Sequence, residues 1–228
     1  MIGSDIETGP LPEEEIRILI PEFDPDAVKF GNTKDATKRE KIVEDARAAH
    51  ADKFLSKAAL SPITGRLLCI GFYASEKEVF VIVDGDEAEM LTTFWTKFVE
   101  FRKRPVVGHN FTGFDLPFLV GRSWILDVFV PDWIFYKQYI SHDCCFDTMT
   151  RWGAVTGEIF CKLGRLATIL GVGEKTGEEE VTGANFHEWW SGTFPGTIAP
   201  AAQKEKAKLY LKKDVVLVTD VAARMGIL

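Results

Sequence analysis

Three features of the sequence predict an α/β architecture. Two runs rich in β-branched and aromatic residues lie at 66–73 and 78–83, an amphipathic helical period at 88–101 leads directly into an apolar stretch at 105–108, and most of the remaining C-terminal part has helical spacing. The order strand, insertion, hairpin, helix, strand, helices suits a mixed sheet covered by helices.

Taken in order, Ile2 to Ile6 can form only a short strand, ended by the Gly9-Pro10 punctuation. Residues 12 to 32 are rich in Glu, Pro and Asp. From Asp35 to Leu60, Ile42, Val43, Ala46, Ala49 and Phe54 recur among charges at roughly helical spacing. Residues 12–60 therefore read as a charged helical insertion. Arg66–Tyr73 and Glu78–Val83, joined by the polar link around Ser75-Glu76-Lys77, form a hairpin. Met90, Leu91, Phe94, Trp95, Phe98 and Phe101 mark one helix face, and Pro105–Gly108 is the strand that follows. A helix opens within Gly113–Leu119, Phe146–Met149 is a short last strand, and Leu163–Leu170 and Pro200–Arg224 are helices. Glu178-Glu179-Glu180 reads as a solvated loop.

At 228 residues, with 46% apolar residues, the chain fits one domain, 1–228, with a substantial core. No apolar run is long enough to span a membrane and the N-terminus lacks a secretion-signal pattern, which predicts a cytoplasmic protein with no membrane partner. The four cysteines, Cys69, Cys144, Cys145 and Cys161, show neither zinc spacing nor a disulfide framework and are expected as reduced thiols. A net charge of −7 argues against coating duplex DNA by long-range attraction. It leaves room for an enzyme that grips a few terminal nucleotides through cations and a local basic rim.

Three elements carry the chemistry. Asp5 and Glu7, two apart on a strand, project from the same face, as two carboxylates sharing a metal must. Alone, such a pair is more often solvated surface. Asp115 lies between Phe114 and Leu116 ahead of Pro117, a carboxylate within an apolar run where an unpaired charge is costly; its plainer role is an N-cap before a helix with Pro in the first turn. Tyr210 and Asp214, at i and i+4 of a helix, can reach the same water.

Together, Asp5-Ile6-Glu7-Thr8, Gly108-x-Asn110-x-x-x-Phe114-Asp115-x-Pro117-Phe118-Leu119 and Tyr210-x-x-x-Asp214 resemble the three exonuclease motifs of the proofreading domains of family-B DNA polymerases. The pattern is most similar to the predicted 3′→5′ exonucleases related to those domains, and it extends across essentially the whole chain. Ser4 stands where that pattern usually has an apolar residue, and the 12–60 insertion is absent from a minimal domain. Leu209 occupies the place where the histidine subtype carries its His, which favours Tyr210 as the catalytic partner.

The resemblance implies an RNase H-like, DnaQ-type fold with a mixed five-stranded sheet. It implies a four-carboxylate, tyrosine-type 3′→5′ exonuclease that releases nucleoside monophosphates from single-stranded 3′ ends, DNA being favoured over RNA. Two divalent cations, Mg²⁺ or Mn²⁺, would be the cofactors. Asp5 would bridge both, Glu7 and Asp214 would serve the ion holding the nucleophilic water, and Asp115 would support the other largely through waters. Tyr210 would orient the attacking water and Glu7 would accept its proton. Thr8 and Gly9 would hold the terminal 3′-OH, Asn110 would reach the substrate strand, Leu11 would wedge between the last bases, and Phe111, ahead of Phe114, would stack on a base. With no polymerase region after Leu228, replication or repair proteins would act with it in trans. Two competing readings are a catalytically weak nucleic-acid-end binder of the same fold and a metal phosphohydrolase built on His142-Asp143.

Overall fold

The computed structural model describes residues 1–101, 105–137, 139–140, 145–173 and 180–227. They divide into two compact units, one of Met1–Thr8 with Leu67–Leu228 and one of Gly9–Arg66. His142-Asp143, Cys144 and Glu178-Glu179 lie outside the described residues.

The first unit is built on a mixed five-stranded sheet. Its strands are β1 (Ile2–Pro10), β2 (Gly65–Ala74), β3 (Val79–Asp84), β4 (Val106–Gly108) and β7 (Phe146–Asp147), in the order β3-β2-β1-β4-β7. β5 (Phe135–Tyr136) and β6 (Tyr139–Ile140) make a separate two-stranded ladder. β2 and β3 pair antiparallel from Cys69↔Asp84 to Ala74↔Val79, so the expected hairpin is present. β1 runs parallel to β4, and β4 parallel to β7.

Period-2 alternation sorts the two faces. Ile2, Ile6, Ile70 and Phe72 join the core built with α4 (Glu87–Glu100) and α5 (Leu116–Ile125). Every expected α4 position from Met90 to Phe98 is buried there. The opposite face meets α9 (Pro200–Arg224) and α8 (Phe186–Ser191), with Cys69 packed among Trp189, Ala207, Tyr210 and Leu211. α9 lies so close that a Cβ on Gly3 would stand 2.5 Å from Thr219 Cγ2 and 2.8 Å from the Val215 carbonyl oxygen. Glycine at position 3 is what lets β1 and α9 approach, and both carry candidate site residues.

Buried Arg122 of α5 donates through Nε and Nη2 to the two oxygens of Glu87 at 2.8 and 2.7 Å, and Glu87 also accepts the Leu67 N–H at 2.8 Å. One carboxylate thus ties α4, α5 and β2 together. Beyond α5 come α6 (Thr148–Thr156) and α7 (Leu163–Leu170).

Two elements differ from expectation. β1 is longer than the short Ile2–Ile6 strand expected, and runs up to and through the Gly9-Pro10 punctuation. Proline's fixed φ is compatible with an extended chain, and as the strand's last residue its missing N–H ends the ladder without interrupting it. The last strand stops at Asp147, whose carboxylate accepts the Met149 and Thr150 N–H groups and starts α6 one residue later.

In the second unit, α1 (Glu13–Arg17) buries Ile16, Asp35 caps α2 (Ala36–Ala48) by accepting the Lys38 N–H at 3.0 Å, and α3 (His50–Leu55) follows. α2 buries no residue, as its charge-rich sequence requires. Its guanidiniums cover aromatic faces instead, Arg47 over Phe23 at 4.7 Å and Arg39 over Phe30 at 5.1 Å.

Among the described residues Cys69, Cys145 and Cys161 are free thiols, and no helix is long and apolar enough to cross a membrane.

Candidate active site

β4 ends at Gly108, opposite the start of β1, while β1 runs on; the gap beyond the end of β4 is where the site forms. Open α/β sheets offer a crevice of this kind at the carboxyl ends of parallel strands. β1 contributes Asp5 and Glu7, both directed to the α9 face by the alternation that put Ile6 in the opposite core. α9 contributes Tyr210 and Asp214, one turn apart. One oxygen each of Asp5, Glu7 and Asp214 lies within 4.8 Å of the others, and this group can hold a metal ion.

Asp115 arrives from a π-helical turn, Phe111–Asp115, entered through Asn110 in the left-handed region at φ 60°. Asparagine tolerates that conformation better than most residues. The N-cap role is not realised, because the Asp115 side chain makes no capping bond. Its Oδ1 instead accepts the Ile6 N–H of β1 at 3.2 Å. Burial and the neighbouring charge of Asp5 push the Asp115 carboxyl well above the usual carboxylate range, against the smaller opposing effect of the Ile6 bond.

Tyr210 donates its hydroxyl to Asp214. Burial, then the charges of Asp214, Glu7 and Asp5, raise the phenol pKa far above its ordinary value. Tyr210 is therefore a neutral donor at physiological pH.

A cavity of about 230 Å³ gathers Asp5, Glu7, Asn110, Asp115, Tyr210 and Asp214, with Ser4, His109, Phe114 and Leu163 also in its wall. His109, Asn110, Leu163 and Tyr210 also line a wider cleft of about 860 Å³, whose wall includes Phe160, Lys162 and Arg165. The carboxylates thus stand beside a groove carrying an exposed aromatic ring and two cationic side chains.

The expected substrate contacts fare differently. Asn110 is in the cavity wall. Phe111 is a correction: it is fully buried, with its ring centroid 6.4 Å from that of Phe98, and has no face free for a base. Phe114 is the half-buried phenylalanine of the two and lies in the cavity wall. Thr8 is half-buried on β1 and is not part of the cavity wall. Gly9 and Leu11 belong to the second unit, where the Leu11 N–H donates to the Thr64 carbonyl at 2.9 Å.

Asp147 and His109 matter more than sequence reasoning allowed. The Asp147 carboxylate accepts the Asn110 N–H at 3.1 Å, the Thr112 N–H at 2.9 Å and the Thr112 hydroxyl at 2.8 Å, besides starting α6. It pins the turn that delivers Asp115. His109 places Nδ1 2.8 Å from Thr148 Oγ1 and Nε2 2.8 Å from the Cys161 carbonyl oxygen, joining that turn to the segment before α7. The adjacency of Gly108-His109-Asn110 to Asp115 was the available signal for His109. For Asp147 it was the Asp-Thr at a strand end.

No known family model and no curated protein matches the sequence. Among solved structures, the chain is similar to the family B DNA polymerase from the hyperthermophilic archaeon Pyrobaculum calidifontis, with a TM-score of 0.53 and 17% identity. The likeness is one of fold. It covers 75% of this chain and 23% of the polymerase chain.

Proposed function

We propose that this chain is a metal-dependent 3′→5′ exonuclease with an RNase H-like, DnaQ-type fold, acting on single-stranded nucleic acid ends. The observation that carries the reading is the convergence of Asp5, Glu7 and Asp214, within 4.8 Å, in one cavity with Asp115 and Tyr210. Those are the residues that the three motifs single out. The fold likeness to a DNA polymerase supports the same reading.

The donor set suits hard divalent cations. It is all oxygen, anionic and clustered, and carboxylates this close repel one another unless a cation lies between them. Asp5, Glu7 and Asp214 would hold Mg²⁺ or Mn²⁺ directly, and Asp115 would hold a second ion through water. When bound, a metal pair supplies charge stabilisation on both sides of the scissile phosphate and a more acidic water.

The side chains do the rest. Tyr210 donates its hydroxyl hydrogen in a hydrogen bond to Asp214 and stays neutral, which leaves a lone pair of the phenol oxygen to orient the attacking water, and Glu7 on the same side of β1 takes that water's proton. Phe114 offers a ring edge to the terminal base. Phe160, Lys162 and Arg165 in the adjoining cleft accept the upstream bases and phosphates.

The test is digestion of end-labelled DNA and RNA oligonucleotides, single-stranded and duplex, with and without Mg²⁺ or Mn²⁺. Cation-dependent release of mononucleotides from the 3′ end is expected. Binding of ends without hydrolysis would instead identify an accessory end-binding module.

A further inference from the structure

Alternation along β1 places Ile2, Ser4 and Ile6 on the face covered by α4 and α5, opposite Asp5 and Glu7. Ile2 and Ile6 are core residues there. Ser4 sets a hydroxyl into that apolar row at 1% exposure, and among the described residues its Oγ has no hydrogen-bond partner. A buried hydroxyl without a partner weakens a fold, and alanine at the same place would not.

A partner for the hydroxyl is available in the cavity. Ser4 lines the carboxylate cavity together with Phe114 and Asp115. Asp115 is bonded to β1 close to Ser4 in the strand. Its Oδ1 accepts the N–H of Ile6, two residues further along the strand, and the next residue, Leu116, packs in the same core as Ile2 and Ile6. Ser4 and Asp115 therefore line one cavity from neighbouring elements, the first with an unpartnered hydroxyl and the second with a carboxylate.

We propose that the Ser4 hydroxyl and the Asp115 carboxylate jointly hold one water of a divalent cation's hydration shell, making Ser4 a positioning residue for the second cation. The inference rests on the metal-binding reading above. A cation-bound water offers two hydrogens, and two acceptors on neighbouring elements fix its orientation where one would let it swing. Mg²⁺ and its like keep several waters, so contact through water is an effective way to hold such an ion. Partners of this outer kind typically govern affinity by about 10- to 100-fold.

The experiment is a Mn²⁺ titration of the whole chain, followed by the loss of the free-ion paramagnetic signal, for the parent, Ser4→Ala and Ser4→Thr, alongside melting curves in EDTA. The parent should bind two ions. Ser4→Ala should bind the first as the parent does and the second about 10-fold more weakly, while melting in EDTA no lower than the parent. Ser4→Thr, which keeps the hydroxyl, should retain more of the second-site affinity than Ser4→Ala. Unchanged second-site affinity in Ser4→Ala would overturn the proposal. So would a lower metal-free melting temperature for that variant, which would place the hydroxyl in a bond of the fold itself. A parent that binds no Mn²⁺ would instead remove the metal reading, and the role of Ser4 with it.

Discussion

Tyr210 and Asp214 stand one helical turn apart on α9, and the phenol hydroxyl donates to the carboxylate inside the cavity that also holds Asp5 and Glu7. Burial and the charges of the surrounding carboxylates keep the phenol neutral, so in the proposed reaction it would place a water and not take a proton.

Replacing Tyr210 by Phe keeps the ring packed near Phe186, whose centroid is 6.0 Å away, and removes only the hydroxyl. The turnover number should fall by about 10- to 1,000-fold, in line with the loss of one positioned catalytic hydrogen bond. KM for a single-stranded oligonucleotide should change little. Parent-like turnover would make the tyrosine structural.

Asp5→Asn and Asp214→Asn each remove a charge from a cluster whose members repel one another. Hydrolysis should be lost in both. In EDTA each variant should melt at or above the parent temperature, because the repulsion is relieved. Mn²⁺ should stabilise the parent more than either variant, since binding to the native state alone raises stability. Melting curves with and without Mn²⁺, next to an activity assay, read all three effects.

Asp115 gives the metal-free protein a pH dependence of defined sign. Its folded-state pKa is raised above the ordinary 3.8 by burial and by Asp5, so the native state holds a proton that the unfolded chain has released. This contribution is fully present below pH 3.8 and declines as pH rises from there towards the folded pKa. Stability in EDTA should therefore fall across that window, and Asp115→Asn should flatten the fall. Parallel pH profiles of melting temperature for the two proteins would rule the effect out.

The three aromatic residues near the site separate packing from substrate contact. Phe111→Ala empties a fully buried position and should cost about 3–5 kcal/mol of stability. Phe114→Ala and Phe160→Ala should leave stability closer to the parent and weaken binding, since base–aromatic stacking contributes roughly 1–3 kcal/mol per base. Single-stranded 3′ ends should be digested faster than blunt duplex ends, because unstacking and unpairing the last nucleotides costs a few kcal/mol. Denaturant unfolding and the ratio of single-strand to duplex rates distinguish the two kinds of residue; a preference for blunt duplex would contradict this picture of the cleft.

Much of the architecture was legible because it depends on local periodicity. The helix from Met90 to Phe98, the hairpin ending at Ala74↔Val79 and the long C-terminal helix all follow from which residues must be buried together. The same is true of two halves of the site. A strand's period of two puts Asp5 and Glu7 on one face, and a helix's period of 3.6 puts Tyr210 and Asp214 on one face, whatever surrounds them.

Tertiary structure decided what periodicity cannot encode. Asn110's left-handed backbone and the π-helical turn after it, pinned by Asp147 from a different strand, turned Phe111 into the core and left Phe114 at the cavity. The sequence around residue 110 put Phe111 ahead of Phe114, because no local pattern there shows which ring is buried. The closeness of β1 to α9 rests on Gly3 meeting Thr219, a contact more than 200 residues apart along the chain. The unpartnered hydroxyl of Ser4 was only a polar residue in an apolar row until the turn before α5 brought Asp115 into the same cavity wall. By itself the sequence determined which side chains could act. Their assembly into one cavity followed from packing between elements distant in the chain, whose free energy depends on partners that no local window contains.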